Sequence, residues 1–127
     1  MKLGMTSLRN TLLGIGLALL GAGAMAQDAI KKSGGMLTNS AGMTVYTFDK
    51  DAGGKSMCNG PCAENWPPLF AVDDAKPSAD MTIVVRDDGK KMWAYKGKPL
   101  YTFKKDTAAG DTNGDGFLNG AWHMAKP

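Results

Sequence analysis

Gly42-Met43-Thr44-Val45-Tyr46-Thr47-Phe48-Asp49-Lys50-Asp51 returns later in the chain as Gly97-Lys98-Pro99-Leu100-Tyr101-Thr102-Phe103-Lys104-Lys105-Asp106. The glycine, Tyr, Thr, Phe and final Asp all recur after a shift of 55 residues. Each copy then runs through a Gly- and Asx-rich loop to a tryptophan, Trp66 in the first and Trp122 in the second. A fixed internal period of this size marks a duplicated supersecondary unit. Here the unit is a hairpin followed by a loop.

Within each copy the residue types favour strand. Val, Tyr, Thr and Phe suit the pleated, half-buried state. Successive strand side chains point to opposite faces, so Tyr46 and Phe48 share one face, as do Tyr101 and Phe103. Those positions are read as core filling, with an exposed aromatic platform as the alternative. Upstream, Met36-Leu37-Thr38-Asn39 is a short strand that Ser40-Ala41-Gly42 turns back into Met43–Phe48. Downstream, Met81–Arg86, Lys91–Tyr95 and Leu100–Phe103 are expected as a three-stranded meander, broken at Asp87-Asp88-Gly89 and Lys96-Gly97-Lys98. Ala121–Ala125 is a closing strand. Pro61 can open one helical turn through Asn65. The two prolines after Trp66 confine Trp66–Phe70 to an edge or a crossing segment. No stretch carries a sustained helical period. The expected fold is therefore all-β or nearly so, a small single domain of two pseudo-equivalent hairpin-plus-loop repeats. Repeat one covers about 35–71 and repeat two about 81–126, within a domain spanning 35–126.

The first 26 residues read as a secretory signal peptide. Lys2 and Arg9 form a basic start, Leu12–Leu20 an apolar centre, and Ala24-Met25-Ala26 a small-x-small cleavage site. Cleavage near Ala26 leaves 101 of the 127 residues, enough for one domain, with residues 27–34 as a flexible lead-in. No transmembrane span is expected in the mature chain. Of the 15 basic residues in the full sequence, 13 remain against 12 acidic ones. A near-neutral domain lacks the basic face that nucleic-acid binding requires. The only cysteines, Cys58 and Cys62, are expected to oxidise to each other in an exported chain. Closing so short a loop stabilises by only about 2 kcal/mol, a local staple.

Taken together, Tyr46-x-Phe48-x-x-Asp51, Tyr101-x-Phe103-x-x-Asp106, Cys58-x-x-x-Cys62-x-x-x-Trp66-Pro67-Pro68 and Trp122-His123 resemble the secreted-repeat family of bacterial exported proteins, which carries the Y-x-(F/W/Y)-x-x-D motif. The likeness covers Gly35 to Lys126. It implies the duplication and an exported, periplasmic or secreted location, and it implies no activity. Many members look like lipoproteins; this chain lacks a cysteine at the cleavage site to carry the lipid.

The residues give little support to catalysis. There is one histidine, His123, and one glutamate, Glu64, and no serine stands in a nucleophile-elbow sequence. Haem attachment needs C-x-x-C-H, which is missing. Copper would draw on His123 and the methionines Met36, Met43, Met57, Met81, Met92 and Met124. However, adjacent strand residues face opposite ways, which separates His123 from Met124. Asp111-Thr112-Asn113-Gly114-Asp115-Gly116 matches the first half of a calcium loop, D-x-N-x-D-G, with Trp122 where the closing glutamate belongs. Asp111, Asn113 and Asp115 are thus candidate ligands of a weak calcium site, and no other cofactor is implied. Asp51 and Asp106, at the step from strand to loop, are expected to anchor their loops through backbone N–H groups. The function expected is non-catalytic binding of an unidentified small molecule or envelope protein. The alternative is metal handling, of calcium or copper, or a redox accessory role.

Overall fold

The structure, a computed structural model, describes residues 29–127. The proposed signal peptide lies outside the described residues. In chain order the elements are β1 (Ile30–Ser33), β2 (Met36–Asn39), β3 (Tyr46–Phe48), α1 (Pro61–Asn65), β4 (Met81–Val85), β5 (Lys91–Tyr95), β6 (Lys98–Pro99), α2 (Phe117–Gly120) and β7 (Trp122–Met124). All pairing is antiparallel, in three small sheets: β1–β2, β3–β7 and β4–β5–β6. The all-β reading holds, with two single turns of helix. Among the described residues no helix is long and apolar enough to cross a membrane.

The repeat is visible as a repeated hydrogen-bond pattern. Val45 N–H donates to Leu37 O (3.3 Å), and Leu100 N–H to Trp93 O (3.0 Å). Leu37 N–H donates to Ala125 O (2.9 Å), and Trp93 N–H to Leu69 O (2.8 Å). Asp49 N–H reaches Ala121 O (2.8 Å), and Lys104 N–H reaches Asn65 O (2.9 Å). Ala125 N–H donates to Val45 O, and Leu69 N–H to Leu100 O, both at 2.9 Å. Each bond in one repeat has its counterpart in the other. The pattern turns about a local twofold axis at the two motif tyrosines, whose backbones bond reciprocally: Tyr46 N–H to Tyr101 O (2.7 Å) and Tyr101 N–H to Tyr46 O (3.0 Å).

The tryptophan-bearing segments are exchanged between repeats. β7, from repeat two, pairs with β3 of repeat one, placing Trp122 opposite Phe48 and His123 opposite Thr47. The segment after Trp66, from repeat one, bridges to repeat two at Pro68–Tyr101 and Phe70–Met92. Neither copy closes its own sheet, so the duplication yields one interlocked unit.

Two segments differ from expectation. Ile30–Ser33 is not lead-in but strand β1, paired with β2 over four residues around the Gly34-Gly35 turn. Its lysines, Lys31 and Lys32, are exposed, so the strand has no apolar alternation to betray it. The last strand of the meander is only β6, Lys98–Pro99. Leu100 still donates to Trp93 of β5, but the chain then leaves the meander because Tyr101 is claimed by Tyr46 and Pro68. Pro61 opens α1 at the first helical position, as its fixed φ allows.

Burial follows the strand period: β3 reads buried, half-buried, buried, with Tyr46 and Phe48 inward. Tyr101 and Phe103 do the same around half-buried Thr102. Two clusters form the core. One holds both motif pairs with Trp66, Trp122 and Cys58; the other holds Leu37, Val45, Met81, Trp93, Tyr95, Leu100 and Ala125.

Candidate functional site

At the twofold axis the motif side chains cross over. Tyr46 donates its hydroxyl to Asp106 Oδ2 at 2.5 Å, and Tyr101 donates to Asp51 Oδ2 at 2.7 Å. Each tyrosine therefore serves the aspartate of the other repeat. The remaining carboxylate oxygens hold the loops: Asp51 Oδ1 accepts Met57 N–H (2.7 Å) and Asp106 Oδ1 accepts Asn113 N–H (2.9 Å).

Four rings stack beside these pairs. Phe48 lies on Trp122 (centroids 4.2 Å), Trp122 on Trp66 (3.8 Å), and Trp66 on Phe103 (3.9 Å). Tyr46 meets Trp66 edge-on, and Tyr101 meets Trp122 edge-on. Aromatic contacts of this kind add about 0.5–1.5 kcal/mol each beyond simple burial. The edge of Trp66 reaches so close to Gly114 that a Cβ there would sit 2.6 Å from its ring. Gly114 also donates its N–H to Tyr46 Oη (3.2 Å).

The repeats differ in how they support their tyrosines. Tyr101 Oη shares a hydrogen bond with Ser56 Oγ (2.6 Å), which accepts from Arg86 Nη1 (2.8 Å). Arg86 is buried, and its Nη2 also donates to Cys58 O (2.7 Å). Cys58 and Cys62 form the disulfide, with Cα atoms 5.2 Å apart. Sequence reading passed over Arg86, although it is the only arginine beyond Arg9 in a chain otherwise supplied with lysines. A fork of fixed donors is what a buried carbonyl and hydroxyl require, and lysine lacks it.

These surroundings govern ionisation. Burial, then the bond to Asp106, pushes the Tyr46 hydroxyl far above the ordinary phenol range. Burial raises Tyr101 similarly, against the opposing hydrogen bond from Ser56. Asp51 is raised above the usual carboxylate value, chiefly by burial, despite its bonds from Tyr101 and Met57 and the field of Arg86.

The candidate calcium ligands each have a separate protein partner. Asp111 Oδ2 accepts the N–H groups of Thr107 and Ala108, both at 3.0 Å, which hold its carboxyl below the usual range. Asn113 donates to Lys105 O (3.3 Å), and Asp115 Oδ1 accepts Met124 N–H (3.2 Å). Among the described residues no group of three or more His, Cys, Asp or Glu is arranged to hold a metal. The methionines are dispersed: Met81 and Met92 are in different core clusters, and Met57 is exposed.

Several clefts are open to solvent among the described residues, two of them beside the repeat motifs. One, of about 370 Å³, lies over the outer face of β3–β7 and is lined by Asp49, His123, Tyr95, Lys96, Lys98 and Lys126 among others. There His123 Nε2 and Asp49 Oδ2 are 2.9 Å apart in an exposed pair. The second, of about 550 Å³, runs between α1 and the β4–β5 turn, past Glu64, Phe70, Asp87 and Asp88.

The molecule is thus a pseudo-twofold β domain whose repeated motif forms its centre. One family model, described as a secreted repeat of unknown function, matches the chain twice, over residues 29–70 and 82–126. The chain belongs to that family. No curated protein and no solved structure matches it.

Proposed function

We propose that this chain is a non-catalytic binding domain acting outside the cytoplasm, in the periplasm or beyond it. One observation carries the reading. The Tyr, Asp and Trp of both motifs, the groups with most chemical potential, are spent on cohesion at the twofold axis. Tyr46, Tyr101 and Trp122 are buried to within 1% of full. Facing solvent is a concave surface of mixed polar and apolar lining that carries an exposed His–Asp pair and lysines, a surface suited to holding a ligand. A serine, threonine or cysteine nucleophile poised beside a base, as covalent catalysis requires, does not emerge from the hydrogen bonds of His123.

Native mass spectrometry of the mature chain, isolated oxidised from an exported fraction, tests this. The expected result is a stoichiometric adduct that is released chemically unchanged on denaturation. Catalytic conversion of the released compound by fresh protein would overturn the non-catalytic reading.

A further inference from the structure

The duplication supplies an internal control for function. Positions shared by both repeats are needed by the fold they share. Positions where the repeats differ, yet keep the same backbone pairing, are free for other work. Asp49, His123 and Lys98 of the β3–β7 cleft are such positions, whereas Lys96 and Lys126 differ from the first repeat in backbone pairing as well. Asp49 occupies the place of Lys104, as their matching bonds to Ala121 O and Asn65 O show. His123 stands where the first repeat has Pro67, and Lys126 where it has Phe70. Lys98 stands where it has Met43, and Lys96 lies in a two-residue turn where the first repeat has the three-residue loop Ser40-Ala41-Gly42.

Lys96 adds an independent observation. β5 and β6 are joined by two residues, Lys96 and Gly97, at φ 50° and 86°. This is the pattern of a type I′ turn, in which asparagine is preferred first and glycine second. A lysine in the left-handed region is disfavoured, and such an outlier is a pointer to function. Here it puts an ammonium at the cleft, with its Nζ 5.4 Å from the centre of the Tyr95 ring. Lys98 and Lys126 line the same cleft. None of the three lysines is in an ion pair among the described residues. Asp49 is tied to His123, and lysines outnumber carboxylate side chains in the cleft. A concave surface with surplus positive charge concentrates anions.

We propose that this cleft binds a small oxyanion carrying two or more negative charges, of phosphate or carboxylate type. Lys96, Lys98 and Lys126 supply the charge, and His123, held by Asp49 through Nε2, adds Nδ1–H as a directional donor when the ring is protonated. The assignment rests on the binding-domain reading and gives it a place and a ligand class.

Titration of the mature, oxidised chain with pyrophosphate and with citrate at low ionic strength, followed by calorimetry and by amide NMR, tests it. One saturable site is expected, with shifts at Lys96, Lys98 and His123 and weakening as salt is added. Binding of pyrophosphate alone assigns a phosphoryl ligand, and binding of citrate alone a carboxylate. Lys96→Asn should weaken binding about fivefold while leaving the denaturation midpoint equal or higher, because asparagine suits the turn. Lys98→Gln should weaken it similarly. Lys104→Gln, at the counterpart of Asp49, should change nothing. Absence of saturable binding, or equal weakening by Lys104→Gln, overturns the site. If the site fails while native mass spectrometry still finds an unchanged ligand, only the cleft assignment falls. If the cleft binds and the ligand is converted, the non-catalytic reading falls instead.

Discussion

Removing one hydroxyl at the twofold axis should cost this domain a large part of its stability. In Tyr46→Phe the ring remains, so packing against Trp66 and Phe103 is kept. What is lost is the bond to Asp106 Oδ2, a buried hydrogen bond to a charge-bearing group, worth about 1.5–3 kcal/mol. Gly114 N–H, which donates to the Tyr46 hydroxyl oxygen, is left without an acceptor in a buried setting, at about 1 kcal/mol or more. A total of about 3 kcal/mol lowers the melting temperature of a domain this size by roughly 15 °C. Tyr101→Phe should cost less, about 2 kcal/mol, because Ser56 keeps its bond from Arg86 when the tyrosine hydroxyl goes. Urea denaturation of the oxidised protein measures both. A double-mutant cycle of Tyr46→Phe with Asp106→Asn should show a coupling of about 2 kcal/mol, since the pair is in direct contact. A loss below about 0.5 kcal/mol for Tyr46→Phe, in the range of an ordinary surface substitution, would refute the idea that the crossed pairs hold the repeats together.

Gly114→Ala should destabilise by about 1–3 kcal/mol and perturb tryptophan fluorescence, because the new methyl meets Trp66 at 2.6 Å and Tyr46 at 3.0 Å; an unchanged urea midpoint would mean the loop simply yields. Stability should fall at alkaline pH. Tyr46 and Tyr101 ionise near pH 10 when unfolded and only well above that when folded, so their contribution is fully present below pH 10 and drains away as pH rises past it. Ultraviolet titration should therefore show two tyrosinate equivalents appearing together with unfolding, and their appearance in the native protein near pH 10 would count against the buried pairs. Millimolar calcium should leave the melting temperature unchanged, since Asp111 and Asp115 already accept backbone N–H groups; a rise that Asp115→Ala abolishes would establish the loop as a cation site.

How far the sequence reveals this fold depends on the range of the interaction. Tyr46 and Phe48 alternate with Thr47, so their shared inward face follows from the strand period alone. The 55-residue offset announces the duplication, and the turn residues Gly34-Gly35 and Asp87-Asp88-Gly89 stand where hairpins turn. Partner choice is another matter. Trp66 and Trp122 sit in like local patterns, and nothing local says whether each returns to its own hairpin or crosses to the other. The crossing is selected by the assembled stack of Phe48, Trp122, Trp66 and Phe103, a property of the whole chain. For the same reason Asp51 and Asp106 were legible as loop anchors but not as acceptors of each other's tyrosine. Arg86 was hidden because a charged residue at a strand end reads as solvated until Ser56 and the Cys58 carbonyl are brought to it from a distant loop.

The exchange also explains why the repeated motif of this chain speaks of architecture. A duplicated hairpin that closed on itself could bury its Tyr and Phe independently, and the two copies could then drift apart. Here Tyr46 needs Asp106, Tyr101 needs Asp51, and Trp66 stacks on Trp122. A change in one copy leaves an unpaired group in the other, and a buried unpaired group is costly. The recurrence of Tyr, Phe and Asp follows from that mutual dependence with no ligand involved. What the axis leaves free are the outward positions that keep the backbone bonds of their counterparts while changing side chain. Asp49 against Lys104 and His123 against Pro67 are such positions, and they meet in one cleft. The motif therefore marks how the chain is held together, and the departures from the repeat mark the surface proposed to meet a ligand.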